Sequence, residues 1–282
     1  MKIKQVRIIS WVLVFALVVS ACKSEFEKVR TSNNPEQIYQ KALAYYEQED
    51  YQKSQTLLEL ILNSYRGKAE AEDIYFKYAY TYYNLKRYIL AAYYFRNFAT
   101  TFGNSPKREE AEFMAAYSNY ELSPTFRLDQ TYTEKAIDDM QTFVNTYPNS
   151  QRVDECNKIM DELRSKLEEK AFAEAELYFN LKQYLSAVHT FENMLKDFPE
   201  TNDADKIRFM IVRSYYLLAE NSVVEKQPER YQTVLERAGE YLQRYPKSEY
   251  AKEVSLFLNN STKKLKNIRY VGHQDQSARA GS

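Results

Sequence analysis

The sequence predicts an all-α fold, a solenoid of about five helix pairs closed by a C-terminal helix. Three observations carry this reading. The 282 residues include only 5 Gly and 7 Pro, too few for the frequent turns of a barrel, a sandwich or a many-stranded sheet. A pattern of aromatic and small residues recurs at an offset of 37, at Tyr39–Tyr46, Phe76–Tyr83 and Phe113–Tyr120, with Ala42, Ala79 and Ala116 at the same place in each. Finally, a stop-and-restart motif recurs at Tyr147-Pro148-Asn149-Ser150, Phe198-Pro199-Glu200-Thr201 and Tyr245-Pro246-Lys247-Ser248. Pro ends one helix there, and Ser or Thr caps the next.

The elements follow in order. Lys2, Lys4 and Arg7 precede an apolar run from Ile8 to Val19, 12 residues long. A membrane-spanning helix needs about 20, so residues 1–21 read as a leader. Val19-Ser20-Ala21-Cys22 resembles the bacterial lipobox, which implies cleavage before Cys22 and a covalent lipid on it. The mature chain would carry 36 positive and 39 negative side chains and would lose Trp11, the only tryptophan. Residues 22–34 are polar and read as a tether. Asn34, Pro35 and Gln37 give the start signal of the first helix.

The spacing predicts helix pairs over 35–66, 69–103, 106–148, 150–199 and 201–246, then a last helix over 248–266. Insertions fall at Ser123–Thr131 and Asn221–Arg230. No breaker interrupts 151–181, so one long helix joins an N-terminal subdomain, 35–148, to a C-terminal one, 149–266. The polar tail 267–282 reads as disordered. The pairing resembles the tetratricopeptide (TPR) consensus, in which small residues let two helices approach closely. The fourth copy carries Ala175, Tyr178, Tyr184, Ala187, Phe191 and Pro199.

Several classes of function are disfavoured. The 39 basic and 39 acidic side chains give no basic face for nucleic acid. Cys156 has no His or second Cys nearby and reads as a small buried hydrophobe. His189 and His273 belong to no motif. No phosphate loop, HExxH or GxSxG occurs, so the reading is non-enzymatic, with no cofactor beyond the lipid on Cys22.

Phe143–Gln151 and Asn193–Thr201 look like the matching stretches of the BamD family of outer-membrane assembly lipoproteins. Together with the leader and the repeat order, the likeness covers about 30 to 266. The resemblance implies a periplasm-facing, lipid-anchored scaffold at the outer membrane. Its C-terminal half would bind the central β-barrel assembly subunit, and its N-terminal half would meet unfolded outer-membrane proteins. The family's basic residue on the second helix of repeat 4 is not carried over, because His189-Thr190 stands there.

In such arrays the first helix of each pair, helix A, lines a groove. Those positions are Tyr39, Leu43, Tyr46, Phe76, Tyr80, Tyr83, Phe113, Tyr117 and Tyr120. Aromatic side chains there are expected either to hold client peptide or to pack one repeat on the next. Glu36, Asp73 and Glu110, at the same spacing, read as charges suited to helix N-termini. Lys263, Lys264, Lys266 and Arg269 read as a solvated helix end. An alternative role is a surface-exposed lipoprotein binding a glycan or peptide, suggested by the acidic residues of Lys23-Ser24-Glu25-Phe26-Glu27 after the lipid site. A TPR adaptor for envelope synthesis also fits the repeats.

Overall fold

The structure, a computed structural model, describes residues 24–280, with side chains described through Ile268. The predicted leader 1–21 and Cys22 lie outside the described residues. The described chain is helical, with no strand. Its helices are α1 (Glu25–Arg30), α2 (Pro35–Glu47), α3 (Tyr51–Ile61), α4 (Ala71–Asn84), α5 (Tyr88–Thr101), α6 (Arg108–Glu121), α7 (Thr131–Thr146) and α8 (Val153–Asn180). There follow α9 (Tyr184–Asp197), α10 (Ala204–Glu220), a 3₁₀ turn Val224–Lys226, α11 (Gln227–Arg244) and α12 (Ala251–Ala280). Consecutive helices pack as pairs of the tetratricopeptide type.

The small positions read from the sequence are the points of closest approach. Ala42, Ala79 and Ala175 are fully buried, and so are Ser54, Ala91 and Ala187 on the partner helices. Ser54 Oγ donates to the Ala42 carbonyl at 3.0 Å, tying α3 to α2 where no larger residue fits.

The turns inside the pairs explain how so few glycines suffice. Glu49, Lys86 and Lys182 each take positive φ, at 59°, 57° and 60°. Each is followed by a residue whose N–H reaches back five positions, Asp50 to Tyr45, Arg87 to Tyr82 and Gln183 to Tyr178, all at 2.9 Å. This is the left-handed helix end that usually takes Gly. An aromatic pair brackets each turn: Tyr46 on Tyr51 at 5.5 Å, Tyr83 on Tyr88 at 5.5 Å and Phe179 on Tyr184 at 5.7 Å.

The turns between pairs match the predicted caps. Ser105, Ser150, Thr201 and Ser248 each accept at the side-chain oxygen from the N–H two residues on. Three of these hydroxyls also donate backward to a helix A carboxylate: Ser105 to Glu72 at 2.7 Å, Ser150 to Glu109 at 2.5 Å and Thr201 to Glu168 at 3.2 Å.

The chain divides into two units. One holds the residues up to Pro124 and Asp129–Asp161; the other holds Thr125–Leu128 and the residues from Glu162 onward. The division therefore falls inside α8 rather than at 148/149. The reason is chemical: Cys156, Ile159 and Met160 are buried in the first unit, and α8 continues without a break. The first unit's core includes Leu57, Leu58, Ile74, Tyr78, Phe95, Phe98, Met140 and Phe143. The second unit's core gathers Val188, Phe191, Ile207, Val212, Tyr231, Val234 and Val254. In that unit, Lys170 Nζ donates to the Leu128 carbonyl at 2.9 Å.

Three segments differ from the sequence reading. Residues 25–30 form α1 where a tether was expected, because Ser24 caps them and Val29 is buried. The second insertion is shorter, since Pro228 sits in the first turn of α11 and lets that helix start at Gln227. The α12 backbone stays helical to Ala280, past the predicted end at 266. No Pro stops it, and propagation adds a hydrogen bond for each residue fixed.

Candidate functional site

The aromatic positions of helix A divide into an inner and an outer set. Tyr39, Phe76 and Phe113 are buried and belong to the packing between helices. Tyr39 packs on Tyr65 at 5.5 Å. Phe76 meets Phe98 at 5.0 Å, and Lys107 Nζ lies 5.1 Å from its ring centre. Phe113 meets Phe143 at 5.6 Å, and the Arg152 guanidinium lies 4.1 Å from its ring. The outer set, Tyr46, Tyr80, Tyr83, Tyr117 and Tyr120, is only partly buried, as is Leu43.

Outer rings of α4 and α6 approach each other: Tyr83 lies 6.3 Å from Tyr117, and Tyr117 lies 5.3 Å from Tyr120 on the same helix. Tyr80 sets its edge on the buried Phe95 of α5 at 4.9 Å. Lys77 Nζ covers the Tyr46 ring at 4.8 Å. The result is a half-buried aromatic strip on α2, α4 and α6, which offers ring faces to a partner.

The acidic positions at the 37-residue spacing have a role the sequence reading missed. Tyr39 Oη donates to Asp73 Oδ2 at 3.1 Å, Tyr65 Oη donates to Glu36 Oε2 at 3.0 Å, and Tyr80 Oη donates to Glu110. Lys107 Nζ adds an ion pair to Asp73 at 3.0 Å. Each of these three carboxylates therefore receives a tyrosine hydroxyl. The pairs are 34, 29 and 30 residues apart, so no common spacing marks them and the pairing needs the fold. Burial, then the neighbouring Asp73, pushes the Tyr39 phenol up to about 12. Burial, then the bond to Glu36, pushes Tyr65 up to about 12. Tyr46, Tyr80 and Tyr83 are raised too, each chiefly by burial. All of them stay neutral donors at physiological pH. Within the strip, Tyr80 places its hydroxyl on Glu110 and Tyr83 bonds Glu121, so those two offer rings more than hydroxyls.

A second feature lies in the other unit and has no sequence signature. A groove of about 830 Å³ opens between α9, α10 and α11, with Lys196, Arg208, Arg237 and Arg244 along it and Leu195 and Ile211 as apolar wall. Arg237 is paired with Glu240 at 3.3 Å and with Glu192 at 3.8 Å. Arg208 Nε is buried and makes no hydrogen bond. The residues come from three helices, and only the packing of α9, α10 and α11 brings them together.

The remaining candidates are bland. Cys156 is buried and its thiol is pushed up to about 11 by that burial, so it stays protonated and packs as a hydrophobe. Exposed His189 lies 3.9 Å from Glu192. Among the described residues no cluster of His, Cys, Asp or Glu could hold a metal ion, and no helix is long and apolar enough to cross a membrane.

Residues 31–230 match the model of a protein family described as YfiO, outer membrane lipoprotein. Among curated proteins the chain is 22% identical over 192 residues to an outer membrane protein assembly factor BamD of Buchnera aphidicola subsp. Acyrthosiphon pisum (strain APS), covering 64% of this chain and 78% of the relative. It is 20% identical over 223 residues to a protein of the same name from Rickettsia prowazekii (strain Madrid E), covering 79% of this chain and 89% of the relative.

Proposed function

The chain belongs to the YfiO family of outer membrane lipoproteins, and on that premise we propose that it is a non-catalytic, periplasm-facing scaffold for assembling outer-membrane β-barrels. It would be anchored by a lipid on Cys22. The observation that carries the client role is the half-buried aromatic strip of Tyr46, Tyr80, Tyr83, Tyr117 and Tyr120 on α2, α4 and α6. An unfolded barrel segment alternates apolar and polar side chains. Its apolar side chains would lie on the ring faces, with backbone groups left to water. In the C-terminal half, the groove around Arg208 is the contact we assign to the central β-barrel subunit. Carboxylates of that subunit would pair with the cationic side chains Lys196, Arg208 and Arg244 along the groove, in place of the helix B residue expected from the family.

A pull-down of the tagged protein from membranes in gentle detergent tests this reading. A large β-barrel subunit recovered near stoichiometrically supports it. Arg208→Ala should lower that recovery at least tenfold while leaving the melting curve in place. Loss of the barrel subunit from the parent's complex, together with protease cleavage of the protein on intact cells, would instead favour the surface-exposed, ligand-binding reading.

A further inference from the structure

We infer that α1 is a mount for the lipid anchor, holding the first repeat's inner turn against the lipid headgroup layer. The inference rests on the lipidation of Cys22 proposed above. The length of free chain decides it. Residues 24–34, if extended, would let the repeats float about 35–40 Å from the anchor. The structure instead docks this stretch. Ser24 caps α1, Glu25 pairs with Lys41 Nζ at 2.6 Å, and Phe26 sets its edge on Tyr45 at 6.0 Å. Val29 is buried, and Thr31 Oγ1 donates to the Glu27 carbonyl at 2.7 Å, closing the far end.

Only Lys23 then separates Cys22 from the docked Ser24, two Cα steps with a reach of at most about 7 Å. The headgroup layer on one side of a bilayer is itself about 5–8 Å thick. A lipid on Cys22 therefore leaves Ser24 at the membrane surface. The first turn of α1 lies beside Lys41 and Tyr45, the last part of α2, which runs into the exposed turn at Gln48. That end of the first repeat should face the headgroups.

The test uses the lipidated full-length protein, purified from membranes and reconstituted in phosphatidylcholine vesicles with a headgroup nitroxide quencher. A bimane dye is placed at Gln48→Cys and, separately, at exposed Asn149→Cys in the turn after the third repeat. Buried Cys156 should not label. The mount predicts several-fold stronger quenching at position 48 than at 149. A 12-residue Gly-Ser insertion between Lys23 and Ser24 adds a flexible reach of about 20 Å and should bring position 48 down to the level of 149. Val29→Asp, which undocks α1, should do the same. Equal quenching at both sites in the parent, or quenching at 48 that survives the insertion, overturns the mount and leaves the anchor standing. Cys22→Ala in a chain made without residues 1–21 supplies the separate control. If that variant stays on the vesicles as the parent does, the lipid reading falls and the mount falls with it.

Discussion

The two units use one helix-pair plan but bind successive A helices to each other differently. In the first unit, Tyr39 on α2 reaches Asp73 on α4, and Tyr80 on α4 reaches Glu110 on α6. These bonds run from one A helix to the next. In the second unit, Tyr231 Oη donates to Glu220 at 2.8 Å and Tyr241 Oη donates to Asp205, both from α11 back to α10 of the same pair. Between α10 and the α12 region, stacked rings join two ion pairs: Phe209 on Tyr250 at 4.4 Å and Tyr216 on Phe257 at 4.5 Å, with Arg213 to Glu253 at 3.8 Å and Lys264 to Glu220 at 3.7 Å. The helix pair is thus a carrier, and the choice of link decides what face it shows. The first unit also has a bond within one pair, Tyr65 to Glu36, but it places the tyrosines that link one A helix to the next on the A helices, where a partner can reach the outer rings. The second keeps its linking tyrosines on helix B, and its open groove is cationic.

The largest expected effect tests whether the units are separate. Phe95→Ala and Phe191→Ala each empty a fully buried ring site, one in each unit. Each should cost about 3–5 kcal/mol. Repeat arrays pass contacts only between neighbours, so hydrogen exchange should report opening in the mutated unit and native protection in the other. Opening of both would show that α8 couples the units into one cooperative block.

A smaller change separates link from ring. Tyr80→Phe keeps the ring on Phe95 but leaves Glu110 without its donor, at an expected cost of about 1–2 kcal/mol. Urea melts should show a lower midpoint at unchanged slope. Client-peptide binding should hardly move, because the ring is retained. Tyr83→Ala with Tyr117→Ala should do the reverse, lowering peptide affinity at least fivefold with a smaller shift in the melt. A melt displaced as far as the binding curve would return the strip to simple packing.

Alkaline titration sharpens the same contrast. A phenol whose folded pKa is raised above its unfolded value of about 10 keeps its proton longer in the native state. Its contribution to stability is fully present below about pH 10 and is lost as pH rises toward the folded value. Tyr39 and Tyr65 are both pushed up to about 12, and Tyr46, Tyr80 and Tyr83 are raised as well. In the second unit, burial raises Tyr231 and Tyr241. Stability should therefore fall between pH 10 and 12, more in the first unit. Tyrosinate absorbance with region-resolved exchange would check this; an equal loss in both units would count against it.

The smallest effect is a gain. Lys86 sits in the left-handed region at φ 57°, which costs a non-glycine residue about 1 kcal/mol. Lys86→Gly should raise stability by up to about 0.5 kcal/mol once the entropy of glycine in the unfolded chain is subtracted. A small rise in the thermal midpoint checks it.

Much of this was legible in the residues. Ala42, Ala79, Ala175 and Ala187 identified where helices cross, and the Ser and Thr caps stand where the stop motif put them. What was hidden depends on partners far apart in the chain or on backbone angles. A Tyr–Asp link across 34 residues looks the same in sequence as two unrelated surface residues. Arg208 gains meaning only beside the α9 and α11 residues that share its groove. The left-handed turns lacked their usual glycine, so nothing advertised them. Helix α1 was hidden by its polar composition, since one valine and one phenylalanine suffice to dock six residues.

The turns at Glu49, Lys86 and Lys182 have a consequence for how such a chain can change length. Each presents the same five-residue backward hydrogen bond and the same aromatic bracket on its two sides. A gene segment excised or duplicated between two of these codons would join a donor to the acceptor it already expects. Recombination at these joints would leave the local backbone seam intact, so a chain built this way could gain or lose a whole repeat without a new turn having to be devised.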